Sequence, residues 1–113
     1  MKGDAAVIGL IGTGHATSHF LQLVVPPLFP YMREDLGMSY AALGFVMTLF
    51  YAVSALLQPV AGFVVDRFGG RGVLLAGIAL MGAGTLVMGM AQGPWQLGAG
   101  AALAGLGNSV FHP

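Results

Sequence analysis

GFVVDRFGGR occupies residues 62–71 and carries three of the chain's charged residues, Asp66, Arg67 and Arg71. The rest are Lys2, Asp4, Arg33, Glu34 and Asp35. All fall in three clusters, and the stretches Ala5–Met32, Leu36–Val65 and Gly72–Pro113 hold none. Only 7% of the 113 residues are charged and 57% are hydrophobic, whereas a soluble domain carries about 25% charged residues. A chain of this composition cannot solvate the surface of a globule, so it reads as a membrane protein.

A membrane-spanning helix needs roughly 20 predominantly apolar residues. The first two charge-free stretches hold one such helix each. The third is long enough for two, and QGPW at 92–95 supplies a turn signal in its middle. The expectation is an all-α integral membrane protein with four spans, near 5–31, 40–65, 73–91 and 95–113. Gly37 is placed to close the first helix and Ser39 to cap the second. Pro26, Pro27 and Pro30 should loosen the end of the first span, and Pro59 should bend the second.

Lysine and arginine counts in short loops set orientation. An N-terminus inside places Lys2, Arg67 and Arg71 in the cytoplasm and only Arg33 outside. Tyr31, Tyr40 and Trp95 then fall at outer ends, where amphipathic rings favour the interface. Small residues recur four apart, as in Gly100 with Ala104 and Ala101 with Gly105. That spacing lets helix backbones approach closely in lipid.

The absence of cysteine excludes a disulfide framework and a thiolate metal site. Zero net charge leaves no footprint for nucleic acid. No acid lies inside a span to orient a histidine, so no Ser-His-Asp arrangement forms and the chain is not read as an enzyme. Gly12-Thr13-Gly14 has no preceding strand and is not a nucleotide loop. No cofactor is implied.

The loop at 62–71 has its own electrostatic problem. Asp66 lies at the C-terminal end of a long helix, which carries partial negative charge. It calls for a partner: Arg67, Arg71 or the N-terminus of another helix. Gly62, one turn earlier, would admit a neighbouring helix, and Gly69 and Gly70 permit a tight reversal. A plain positive-inside loop with solvated charges fits the same residues.

Glycine, three residues, Asp-Arg, one residue, glycine, one residue, arginine resembles the loop between helices two and three of the major facilitator superfamily. Here the residues are Gly62, Asp66, Arg67, Gly69 and Arg71. ALAGLGNSVFHP at 102–113, LLQPVAG at 56–62 and the histidine-bearing first helix resemble the fosmidomycin-resistance branch of that superfamily. The resemblance implies a proton-driven secondary transporter in the bacterial inner membrane, an antiporter exporting small molecules by alternating access. It also implies that Asp66, Arg67 and Arg71 form a cytoplasmic gating latch against a helix of a second half, with Gly62 making room. Members have twelve helices. The chain is therefore expected to be the N-terminal portion of a longer transporter, with further copies or a partner as the other way to complete the bundle. Its partners would be a small-molecule substrate, protons, the lipid bilayer and the missing half.

Two histidines interrupt the first span, in GHATSHF at 14–20. His15 and His19 lie one helical turn apart and share a face, continued by Gln22 and Pro26. Polar groups facing lipid are expensive, so this line should face the bundle or a watery cavity. Tyr51, Ser54 and Gln58 make a second polar line, and Asn108 with His112 a third. In the family the first and fourth helices line the central cavity, so their lines could face each other across a translocation path. Imidazole titrates near pH 6.5 in water, which suits a proton carrier. Tying helices together is the structural alternative. Zinc is disfavoured, because the protease motif places Glu after the first histidine and here residue 16 is Ala. The competing function is a non-transporting membrane module that associates with other helices or with copies of itself.

Overall fold

The computed structural model describes residues 2–111, all of them in helices or the short links between helices. In chain order these are α1 (Lys2–Leu23), a 3-10 turn (Pro26–Leu28), α2 (Phe29–Leu36), α3 (Tyr40–Phe68), α4 (Gly70–Gly89), α5 (Pro94–Asn108) and a 3-10 turn (Ser109–Phe111). Two of them, α3 and α4, are long and apolar enough to cross a membrane. α5 has 15 residues, short of the roughly 20 that a span needs.

The expected boundaries hold best where local chemistry is explicit. Gly37 takes φ 64° beyond α2, the left-handed conformation that glycine reaches without a Cβ clash. The Ser39 hydroxyl accepts a hydrogen bond from the Ala42 N–H at 3.1 Å and caps α3. The first expected span, 5–31, is instead divided. α1 stops at Leu23, because Pro26 and Pro27 bring no N–H to the carbonyls of Gln22 and Leu23. The chain tightens there into a 3-10 turn, with Leu28 N–H donating to Val25 O at 2.9 Å, before α2 resumes. The span expected over 40–65 runs on to Phe68, and α4 begins at Gly70 after a single connecting residue. Gly69 has φ 84°. Gly70 is the first residue of α4, so the reversal uses one glycine and not two. The fourth span is helical from Pro94 but tightens into the 3-10 turn at Ser109.

α4 and α5 form the closest pair, antiparallel and joined along two glycines from each. A Cβ built on Gly84 would sit 2.6 Å from Gly100 O, and one on Gly77 would sit 2.9 Å from Gly107 O. The same test from α5 gives 2.8 Å from Gly100 to Met88 N and 2.7 Å from Gly107 to Met81 N. Gly77 and Gly84 are seven apart, as are Gly100 and Gly107, so two turns of each helix touch backbone to backbone. Both small-residue pairs expected on α5 are contacts. Gly100 and Ala104 lie against Gly84, while Gly105 lies against the backbone of Phe50 on α3 and Ala101 is fully buried. Met81, Leu97, Leu43 and Phe50 fill the interior around these seams.

The outer surface is apolar. Leu56 and Phe63 on α3, Leu75 and Leu86 on α4, and Ile8 and Leu10 on α1 are all exposed. Helices without water gain little by burying apolar side chains against each other, so close backbone approach carries the packing.

The glycine seam makes a paired prediction. Gly84→Ala places a methyl against α5 backbone and should destabilise the chain by about 1–3 kcal/mol, as overpacking does. Gly82→Ala meets nothing within 4 Å and should be neutral or stabilising by up to about 1 kcal/mol through helix propensity. Denaturant titration of helicity in detergent micelles reads both, and equal effects of the two would overturn the seam.

Candidate functional site

The polar side chains inside the helices gather in two places. The first is the histidine turn of α1. His15 Nε2 and His19 Nε2 lie 3.0 Å apart, with the rings edge to face at 77° and centroids 4.5 Å apart. A contact of this length has one nitrogen donating and the other accepting. While it persists, at least one Nε2 is bare, so the two rings cannot both be imidazolium. His15 is exposed and His19 half-buried. The turn beneath them is pinned by Ser18, a buried residue whose hydroxyl donates to His15 O at 2.7 Å. Thr17 likewise donates to Thr13 O at 2.8 Å. Ser18 was not singled out from the sequence. Its signal is the spacing of a hydroxyl three residues after the carbonyl it caps.

The second place is one face of α3. Gln22 Nε2 donates to Tyr51 Oη at 3.3 Å, and Asn108 Nδ2 donates to Ser54 Oγ at 2.8 Å. Tyr51 and Ser54 are three apart on α3 and thus neighbours on its surface. The polar lines of α1 and α5 therefore each meet α3, at neighbouring positions on its surface. The reason is the position of α3, which packs along α5 and reaches the end of α1. Each amide also keeps a buried carbonyl oxygen without a partner, Gln22 Oε1 and Asn108 Oδ1. Buried acceptors left unpaired are costly, roughly 1–3 kcal/mol each. Gln58, next on the α3 line, is half-buried. His112 lies outside the described residues.

The charged loop closes the other end. Asp66, Arg67 and Arg71 are all exposed. Among the described residues Asp66 forms no ion pair with Arg67 or Arg71. Arg67 instead lies over the Phe68 ring, 5.9 Å from its centroid. The partner expected for Asp66 is thus not supplied by either arginine of its own loop among the described residues. A Cβ on Gly62 would meet nothing within 4 Å, so the space beside that glycine is open. Two open grooves elsewhere, one along Val60, Val64, Val73 and Leu80 and one along Phe45, Leu49 and Trp95, are almost wholly apolar and bring no chemistry with them.

Comparison with known proteins follows the same residues. A profile of the Major Facilitator Superfamily matches residues 11–113. The fosmidomycin resistance protein of Escherichia coli is 27% identical over 107 residues, covering 95% of this chain and 26% of that protein. An uncharacterized MFS-type transporter of Bacillus subtilis matches with the same identity and coverage. The multidrug resistance protein MdtH of Yersinia enterocolitica is 32% identical over 91 residues, 80% of this chain and 23% of that protein. The chain thus spans about a quarter of the length of the curated relatives it matches. No solved structure matches it. With the profile covering nearly all of its residues and the charged loop, the glycine seam and the polar lines inside that match, the chain belongs to the major facilitator superfamily, its likeness to the fosmidomycin-resistance branch running over almost its whole length.

Proposed function

We propose that this chain forms part of a proton-coupled secondary transporter that exports small molecules across the bacterial inner membrane, with its N-terminus in the cytoplasm. The observation that carries this reading is the convergence of polar groups from α1 and α5 on Tyr51 and Ser54, in helices that otherwise present apolar side chains to lipid. Gln22, Tyr51, Gln58 and Asn108 line the translocation path. The unpaired amide oxygens of Gln22 and Asn108 are acceptors held ready for a donor on a substrate or a water.

His15 and His19 carry the proton in this reading. Their contact admits one added proton at a time, and no lysine, arginine, aspartate or glutamate lies between residues 5 and 32. α4, which packs on α1, brings one charged residue, Arg71, in its first turn. Alternate wetting and drying of the pair would then load and release a proton, since a dry environment disfavours the imidazolium. Asp66, Arg67 and Arg71 gate. The open space beside Gly62 and the unpaired state of Asp66 within its loop suit a helix supplied by the remainder of a complete transporter. Relatives named for fosmidomycin and multidrug resistance support small-molecule efflux as the activity.

The second reading, a membrane module that only associates with other helices, is favoured by the glycine seam, which works without any transport. Two measurements separate them. In a complete transporter that contains this segment, Asp66→Asn should abolish uptake or efflux of substrate in vesicles while membrane insertion stays normal; full transport would remove the gate. His15→Ala and His19→Ala should each change the pH dependence of transport. Profiles that superimpose on that of the unmodified protein would confine the pair to packing.

A further inference from the structure

We propose that His15 and His19 form a bidentate site for a divalent transition-metal ion, with copper(II) or nickel(II) preferred over zinc. The proposal stands on the geometry of α1 alone and does not depend on the transport reading. Two imidazole nitrogens, one helical turn apart, converge to 3.0 Å. Zinc sites normally draw on three or four protein ligands, and among the described residues no third His, Asp or Glu joins this pair. Copper(II) and nickel(II) with nitrogen and oxygen ligands take tetragonal or square-planar sites, two adjacent positions of which a pair of imidazoles can fill. Copper(II) also heads the affinity order for such ligands.

The surroundings favour a cation. Among the described residues no third His, Asp or Glu joins the pair, which leaves the remaining positions open. Ser18 and Thr17 spend their hydroxyl protons on the backbone carbonyls of α1, fixing the turn that holds both rings. No lysine or arginine lies on α1 after Lys2 to repel the ion. Protons and metal compete for the same nitrogens.

The test titrates copper(II) and then nickel(II), as their chloride salts, into the purified full chain in lipid nanodiscs. Electron paramagnetic resonance follows the copper and calorimetry follows both. One equivalent of copper with a tetragonal spectrum and two nitrogen ligands is expected. It should be lost in His15→Ala and in His19→Ala and kept in His112→Ala. His15→Gln and His19→Gln should repeat the loss with polarity retained, and circular dichroism must show unchanged helicity in every variant counted. Moving one ring out of reach, with His19→Ala and Phe20→His together, should also abolish the site. No bound equivalent in the unmodified chain, binding that survives both alanine variants, or tighter binding of zinc than of copper would each overturn the proposal.

Discussion

Backbone contact between α4 and α5 is the constraint on which the rest of the arrangement depends. In lipid, apolar side chains find as good a solvent outside the bundle as inside it, so helices are held by close approach and by hydrogen bonds. Gly77, Gly84, Gly100 and Gly107 let two helices meet where a single methyl would not fit. Once α5 is seated there, its opposite side carries Gly105 against Phe50 and brings Asn108 to Ser54. The polar link between α5 and α3 therefore follows from the glycine spacing. A bulkier residue in the seam would move Asn108 away from its partner as well as separate the helices.

The polar face of α3 is where packing and chemistry compete. Asn108 and Gln22 each satisfy one end of the amide and leave the other end buried and unpaired. A purely structural design would favour apolar residues here, since a half-satisfied polar group is worse than none. Retaining them makes sense where something enters to complete the hydrogen bonds. The histidine turn differs in kind. Its rings satisfy one another, and their contact lies outside the packed core.

Much of this was legible in the sequence, for identifiable reasons. Gly37 and Ser39 are read correctly because capping is a local interaction between a few consecutive residues. The small pairs on α5 are legible because a four-residue spacing fixes a face. The division of the first span was harder to place. Three prolines announce a disturbance, but whether the chain kinks, tightens or stops depends on what the freed carbonyls find nearby. The polar lines were visible as faces, yet their meeting through α3 was not, because helix spacing says which side chains share a face and nothing about which helix that face meets. Asp66 illustrates the same limit. Its neighbours in sequence are arginines, yet among the described residues neither forms an ion pair with it.

That link has a mechanical consequence. With only Gly69 between them, α3 and α4 have no slack. Neither can slide along or swing from the other without turning about the two backbone torsions of one residue. Any relative movement of the two therefore turns on φ and ψ of Gly69, and because α4 is clasped to α5, α5 moves with α4. Asp66, Arg67 and Arg71 lie within three residues of that pivot, so turning Gly69 resets how Arg71 stands against the two charges that end α3.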